Sequence, residues 1–237
     1  MKKEKNIAII PARGGSKRIP RKNIKNFLGK PIIAYSIETA LQSGLFDEVM
    51  VSTDDSEIEK ISCKYGASVP FLRSKKNADD FAVLTDVIEE VLTRYQSNGQ
   101  FFDNFCCILP TAPLLTSEYL YRSYKKLTEN NFDSVFPVVP YTFPIQRALK
   151  FSGEKIQMIQ AEFKNHRSQD LEPAYHDAGM FYWMKTKPFL EKKTLWTDET
   201  GAIVISNIYA QDIDTMEDWK IAELKYKLLN EQRKKDI

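Results

Sequence analysis

Five basic side chains surround a pair of glycines near the start of the chain. Residues 11–23 read PARGGSKRIPRKN, directly after a short apolar run. Glycine lets a backbone approach a ligand closely, and clustered cations neutralise a polyphosphate. The combination suits phosphoryl or nucleotidyl transfer, and the alternative is a basic surface turn. The segment has neither the GxxxxGK[ST] pattern of a P-loop nor the GxGxxG pattern of a dinucleotide site.

Two aspartates near the other end of the chain are candidate metal ligands. Asp212 and Asp214 follow an apolar stretch, and in extended geometry both carboxylates point to the same side of the chain. Mg²⁺ prefers one or two carboxylates together with phosphate oxygens and water. The alternative is a pair of acidic residues that only precede a helix beginning near Met216. Taken with the basic segment, the pair predicts a Mg²⁺ site.

Alternating apolar runs and amphipathic segments predict the elements that position these residues. The alternation of strand and helix is typical of an α/β fold with a mainly parallel sheet. Strands are expected at residues 6–10, 48–52, 67–69, 105–109, 179–183 and 203–205, and helices at 31–43, 55–65, 85–95 and 216–233.

The pattern changes between residues 133 and 178. Short apolar runs are separated there by prolines, a glycine and a polar tract, which predicts an irregular or antiparallel β insertion. No linker divides the chain. Residues 1–237 are therefore expected to form a single domain that carries the inserted segment 133–178.

Composition excludes several classes of partner. The 34 basic and 32 acidic side chains nearly cancel at +2, which leaves no global field for nucleic acid or a membrane surface. Three cysteines form neither a disulfide framework nor a CxxC pair, which favours a reducing cytoplasm. The apolar run after the N-terminus is too short for a signal peptide, and no window approaches the ~20 apolar residues of a membrane span. A cytoplasmic location is expected.

The segment IIPARGGSKRIPRKN at residues 9–23 resembles the signature of the CMP-sugar synthetases, the cytidylyltransferases that activate sialic acid and related nonulosonic acids. Other motifs follow in the expected order: VSTDD at 51–55, LPTAPLL at 109–115, RSQD at 167–170 and DIDT at 212–215. The resemblance implies a Rossmann-like, three-layer nucleotidyltransferase fold. It also implies that a sugar's anomeric hydroxyl attacks the α-phosphate of CTP and releases pyrophosphate.

The resemblance assigns roles to individual residues around CTP. Lys17 and Lys22 are the expected catalytic lysines. Lys22 would contact the triphosphate together with Arg13, and Lys17 would stabilise charge as the α-phosphate reacts. Asp212 and Asp214 would hold Mg²⁺. An ordinary surface loop is the alternative for the region of Arg73 and Asp80. The implied nucleotide-binding residues are Arg13, Gly14, Gly15, Ser16, Asn23, Arg73 and Asp80.

Four residues are candidate contacts of the sugar: Leu109, Arg167, Gln169 and His176. Leu109 stands where sialate synthetases read glutamine, so it either faces an apolar feature of the sugar or packs in the core. Arg167 suits the carboxylate of the sugar, because a guanidinium binds a carboxylate bidentately. The HDAGMFYW segment at 176–183 is similar to the pseudaminic acid branch of the family. His166 and His176 are each a possible base or an ordinary surface or core-capping histidine, and the reaction requires neither.

The resemblance leaves several readings open. The expected acceptor is pseudaminic acid, a 6-deoxy diamino relative of sialic acid, and the alternatives are N-acetylneuraminic or legionaminic acid, and more distantly an octulosonic acid. A non-catalytic nucleotide-binding protein of the same fold is the alternative of another class. The resemblance further implies a homodimer in which the inserted segment packs on its partner and lends residues to the neighbouring site.

Overall fold

The computed structural model describes residues 3–79 and 82–235 and builds them around one central sheet. The strands are β1 (Asn6–Pro11), β2 (Asn26–Phe27), β3 (Lys30–Pro31), β4 (Glu48–Ser52), β5 (Asn104–Ile108), β6 (Ser134–Pro140), β7 (Leu149–Ser152), β8 (Lys155–Met158), β9 (Tyr175–Asp177), β10 (Phe181–Lys185) and β11 (Thr200–Val204). The helices are α1 (Ile32–Ser43), α2 (Ser56–Lys64), α3 (Lys75–Ala78), α4 (Leu84–Ser97), α5 (Ser117–Glu129), α6 (Thr186–Lys192) and α7 (Met216–Lys235).

Seven strands form the central sheet in the order β11-β6-β10-β5-β1-β4, with β9 paired to the end of β6. Strand β1 runs parallel to β4 and β5, and β6 runs parallel to β11. Strand β10 is antiparallel to both β5 and β6, so those two strands point the same way. The expectation of a mainly parallel sheet is therefore confirmed.

Helices cover both faces of this sheet because its central strands are apolar on both sides. Ala8 and Ile10 of β1 join a core with α1, α2 and α5, whereas Ile7 and Ile9 join a core with α4 and α6. All four side chains are fully buried. Continuous apolar strands are what a parallel sheet with two covered faces requires. The predicted three-layer α/β architecture is confirmed.

Several elements differ from the sequence-based expectation, among them residues 67–69 and the unpredicted helices α3, α5 and α6. Residues 67–69 do not form a strand, since only Ser68 bridges Met50. Helix α5 was not predicted, because its sequence SEYLYRSYKKLTE is polar and carries few aliphatic side chains. It is capped by Thr116, whose hydroxyl accepts from the backbone N–H of Tyr119 at 3.3 Å, and it buries Leu120 and Leu127.

The inserted segment is shorter than the predicted 133–178. Strand β6 lies inside the central sheet, and β9 extends the sheet beside it, so only residues 141–174 lie outside. Pro137 indicated an irregular segment, yet a strand tolerates it here. Strand β10 pairs with Ser134 and Val135 of β6, and β9 pairs with β6 from Val138 onward. Pro137, which has no N–H to donate, lies between these two paired segments, where a proline is tolerated.

Residues 141–174 contain an antiparallel hairpin of β7 and β8 and three short 3₁₀ turns. Both hairpin strands are exposed along almost their whole length.

Among the residues that the structure describes, no helix combines the length and apolar composition needed to cross a membrane.

Candidate active site

The basic segment crosses the carboxyl ends of β1 and β4. The N–H of Ala12 donates to the carbonyl of Ser52 (2.9 Å), and the N–H of Gly14 donates to Asp54 Oδ1 (3.0 Å). Asn23 is buried and its Nδ2 donates to the carbonyl of Arg13 (3.0 Å), which closes the loop. The carboxyl edge of a parallel sheet is where α/β proteins bind ligands. The predicted loop is thus a fixed structure at that edge.

Arg21 fastens the far end of the loop to helix α2. Its guanidinium donates to both carboxylate oxygens of Asp55 (2.5 and 3.0 Å) and to Glu57 (2.6 Å). Asp55 also caps α2 by accepting from the N–H groups of Glu57 and Ile58. The hydrogen bond from Arg21 is the main reason that the pKa of Asp55 is lowered to about 2. Arg21 is therefore engaged with α2, away from the residues that line the cavity described next.

A cavity of about 570 Å³ opens beside the loop. It brings together most of the residues predicted to bind a nucleotide, together with Leu109. The predicted residues that line it are Arg13, Ser16, Lys17, Lys22, Asn23, Arg73 and Leu109. Gly14 and Gly15 belong to the same loop, and Asp80 lies outside the described residues.

Arg73 and Leu109 shape the wall of this cavity. Arg73 is buried, and it donates from Nε to Ser52 Oγ (3.1 Å) and from Nη2 to the Ser52 carbonyl (2.5 Å). Burial lowers the pKa of its guanidinium. Leu109 is half-buried and follows β5, held by the N–H of Leu109 donating to Met180 and by the Ser36 hydroxyl donating to the Leu109 carbonyl. Leu109 thus lines the cavity and is not wholly a core residue.

Lys22 joins this cavity to the aspartate pair. Its Nζ donates to the carbonyl of Ile213 (2.6 Å) and lies 3.7 Å from Asp214 Oδ1. Arg18 reaches the same oxygen at 2.5 Å. Burial lowers the pKa of Lys22, against the opposing effect of Asp214 and Asp212. Two motifs separated by 191 positions therefore meet in space.

A second groove of about 430 Å³ lies on the other side of the aspartate pair. Asp212, Asp214 and His176 line it. Desolvation, followed by the nearby carboxylate of Asp214, raises the pKa of Asp212. His176 is exposed, with Nδ1 2.9 Å from the Asp177 carbonyl and its ring against Tyr141. In the described ranges no group of three or more His, Cys, Asp or Glu side chains is arranged to hold a metal.

Arg167 and Gln169 lie apart from both spaces. Both belong to residues 141–174, where Arg167 pairs with Asp170 (2.7 and 3.1 Å) and Gln169 lines a separate groove that also includes Tyr141. The structure of one chain does not bring them to the cavity or to the aspartate pair.

Sequence reasoning gave no role to Asp54 or Asn77, and it counted Arg18 only among the cations of the loop, yet all three shape the site. Arg18 contacts Asp214, and Asp54 accepts from the loop at Gly14. Asn77 is buried, lines the cavity and donates to Glu90 (2.6 Å). Asp54 was within reach, since it stands in the VSTDD motif. Asn77 gave no signal, because its position depends on the packing of α3 against α4.

Substitution of Gly14 is expected to disturb the loop, whereas substitution of its neighbour Gly15 is not. A Cβ on Gly14 would lie 2.8 Å from Asp55 Oδ2, while a Cβ on Gly15 would meet nothing within 4 Å. Because Asp55 is held by Arg21 and by α2, the loop must move. Gly14→Ala is expected to weaken the binding of a nucleoside triphosphate to the loop about 10-fold or more, from an overpacking cost of about 1–3 kcal/mol. Calorimetric titration of Gly14→Ala and Gly15→Ala checks this, and equal affinities would contradict it.

Known proteins resemble the chain along nearly its whole length. Residues 7–221 match the family described as Cytidylyltransferase. The pseudaminic acid cytidylyltransferase of Campylobacter jejuni is 45% identical over 228 residues, covering 96% of this chain and 98% of that protein. The CMP-N,N'-diacetyllegionaminic acid synthase of Legionella pneumophila is 34% identical, covering 92% and 94%. In fold, a CMP:2-keto-3-deoxy-manno-octonic acid synthetase complexed with CTP matches with a TM-score of 0.70 at 16% identity, covering 96% of this chain and 99% of that one. The chain belongs to the cytidylyltransferase family.

Proposed function

We propose that this chain transfers CMP from CTP to the anomeric hydroxyl of pseudaminic acid and releases pyrophosphate. The observation that carries the proposal is the contact of Lys22 with residues 213 and 214, which joins a cationic cavity to a carboxylate pair. The similarity to a pseudaminic acid cytidylyltransferase over almost the full length of both chains supports this acceptor.

The cationic residues of the cavity are proposed to bind CTP. Arg13, Lys17 and Lys22 hold the triphosphate, and Gly14 and Gly15 let the loop backbone approach it closely. Lys22 lies between the cavity and the aspartates, so it is the cation best placed to stabilise charge that develops on the α-phosphate. Ser16, Asn23, Arg73 and Asp80 complete the proposed nucleotide site.

Asp212 and Asp214 fit a divalent cation. Two carboxylates lie close enough that the second raises the pKa of the first, and a cation with hard oxygen ligands relieves that repulsion. We propose Mg²⁺, which supplies Lewis-acid stabilisation of phosphate oxygens when it is bound. Arg18 and Lys22 neutralise Asp214 from the loop side.

The acceptor is proposed to enter the groove beside His176 and Asp212. Leu109 lines the nucleotide cavity and not this groove, so the proposal that it accepts the methyl group of a 6-deoxy sugar requires the acceptor to extend past the aspartate pair into that cavity. The alternative acceptors are N-acetylneuraminic acid and legionaminic acid, the latter supported by the Legionella relative. Incubation with CTP, Mg²⁺ and each sugar separates them by pyrophosphate release. Turnover of N-acetylneuraminic acid without turnover of pseudaminic acid would overturn the substrate assignment.

A non-catalytic nucleotide-binding protein is the candidate of another class. Binding of CTP, with no release of pyrophosphate from it in the presence of any of the three sugars, would favour this candidate.

We propose that the enzyme works in the cytoplasm, where CTP is available, and that it supplies activated sugar for glycosylation.

We further propose a homodimer formed through residues 141–174. Phe143 and Phe151 are 82% and 77% exposed there, and further apolar side chains of the segment are also exposed. Exposed apolar patches of this kind mark interfaces. A second copy covering this segment is the arrangement in which Arg167 and Gln169 reach the neighbouring groove.

Two charges in this patch are expected to separate the dimer. The double variant Phe143→Asp, Phe151→Asp should run as a monomer in light scattering at micromolar concentration, because a carboxylate in an apolar interface is desolvated without a partner. The matched control is Phe101→Asp, which alters a phenylalanine that is 64% exposed outside the segment. A dimer that persists in the double variant would contradict the proposed interface.

A further inference from the structure

The groove beside the aspartate pair contains a lysine that has no role in the proposed transfer of CMP. Lys225 lies on α7 and is half-buried. Its Nζ donates to the carbonyls of Asn207 (3.0 Å) and Ala210 (2.7 Å), and it lines the groove. An ammonium has three N–H donors, so these two carbonyls leave one unused.

The charges around this groove make Lys225 unusual. Of the described residues that line it, four are aspartates and Lys225 is the one lysine or arginine. Within the described part of the chain, no carboxylate lies at ion-pair distance from its Nζ. Burial, with no carboxylate to offset it, lowers the pKa of Lys225. A half-buried ammonium without a carboxylate partner has an unneutralised charge that can pair with an anionic group entering the groove.

Two of the groove's aspartates are already committed to the protein. Asp177 accepts from the N–H of Gly179 (2.8 Å) and from the Tyr182 hydroxyl (2.6 Å). Asp218 accepts from the N–H groups of Asp214 and Thr215. These carboxylates are therefore held in place as fixed negative charges. An acidic ligand in the groove meets their repulsion unless a cation binds it.

The proposed acceptor brings such an anionic group with it. In a 2-keto sugar acid the carboxylate is attached to the anomeric carbon, which also carries the attacking hydroxyl. When that hydroxyl is directed toward the aspartate pair and the nucleotide cavity, the carboxylate lies within the groove. It must then be neutralised there.

Resting on the proposed function, we infer that Lys225 binds the carboxylate of the acceptor sugar and so selects sugar acids over neutral sugars. Arg167, the residue expected to do this, is already paired with Asp170 and lies in the 141–174 segment. Lys225 is a binding residue of the acceptor and takes no part in proton transfer.

The test compares pseudaminic acid with its methyl ester. In the wild type, esterification is expected to raise the KM of the sugar about 10- to 100-fold, the size of a lost charge-assisted hydrogen bond. Lys225→Gln, which keeps N–H donors for the two carbonyls but removes the charge, should raise the KM of the acid by a similar factor. It should leave the KM of the ester and of CTP unchanged within about twofold, since neither interaction uses the charge.

Two controls separate this role from a purely structural one. Lys126 is a half-buried lysine whose Nζ also donates to a carbonyl, that of Ala202 (2.8 Å), away from the groove. Lys126→Gln should leave the KM values of acid and ester unchanged. Arg167→Gln should preserve the difference between acid and ester. If Lys225→Gln is unstable, the ester comparison with Lys225→Arg, which retains the charge and should retain the difference, carries the test.

Three results would overturn the inference. Equal effects of Lys225→Gln on acid and ester would show a structural role, and loss of the acid–ester difference in Arg167→Gln alone would assign the carboxylate to Arg167. Loss of that difference in Lys225→Arg would show that the charge is not what it depends on. Failure of the wild type to release pyrophosphate with any 2-keto sugar acid would instead overturn the proposed function, and this inference with it. Wild-type turnover therefore distinguishes the two failures.

Discussion

Lys22→Met is expected to lower kcat about 10²- to 10³-fold, the usual loss when one fixed donor to a developing oxyanion is removed. Lys22 touches both halves of the site, through the Ile213 carbonyl and Asp214, and it is less exposed than Arg18, which also reaches Asp214. Its half-buried position makes its charge more effective than that of an exposed lysine. Single-turnover kinetics with CTP and pseudaminic acid measure the effect.

Lys25→Met is the matched control for Lys22. Lys25 lies three residues further along the same segment, over the ring of Trp219 at 6.0 Å, and it does not line the cavity. Its replacement is expected to leave kcat within about twofold, since a cation–π contact at 6.0 Å is worth little and Lys25 does not reach the site. An unchanged kcat in Lys22→Met, or equal losses in both variants, would contradict the role of Lys22.

Asp212→Asn is expected to lower kcat about 10³-fold or more, because metal ligation supplies several kcal/mol of charge stabilisation. The amide keeps the shape of the carboxylate and relieves its repulsion with Asp214, so the folded protein should be no less stable. The expected signature is therefore loss of turnover with an unchanged or raised thermal midpoint.

Metal binding gives a readout of Asp212 that does not depend on turnover. Titration of Mn²⁺ in the presence of CTP, followed by electron paramagnetic resonance, should show affinity weakened about 10-fold or more in Asp212→Asn. Asp198→Asn, at an exposed position outside both spaces, should bind Mn²⁺ like the wild type. Wild-type Mn²⁺ affinity in Asp212→Asn would show that this carboxylate is not a ligand.

Local sequence patterns predicted the parts of this protein that depend on local interactions. Strand β1 is a short apolar run that ends at a proline, and the glycines and cations after it predicted a phosphate-binding loop. Helix α2 begins where an aspartate offers a cap, and Asp55 does cap it. These features were readable because each depends on neighbours in the chain.

The features that were not predicted depend on distant parts of the chain. The contact of Lys22 with Ile213 joins residues 191 positions apart, and no periodicity encodes it. Strand β6 lies in the sheet because β10, β9 and β11 pair with it, although its two prolines favour an irregular segment. Arg21 was counted with the loop's cations, yet Asp55 and Glu57 hold it instead. Tertiary pairing decided each case.

Transfer of CMP is tested most directly by following the α-phosphate. With CTP labelled at that phosphate, pseudaminic acid and Mg²⁺, the label is expected to pass into a CMP-sugar in equal amount to the pyrophosphate released. Label that stays in CTP, or that is released as free CMP without a sugar adduct, would contradict it.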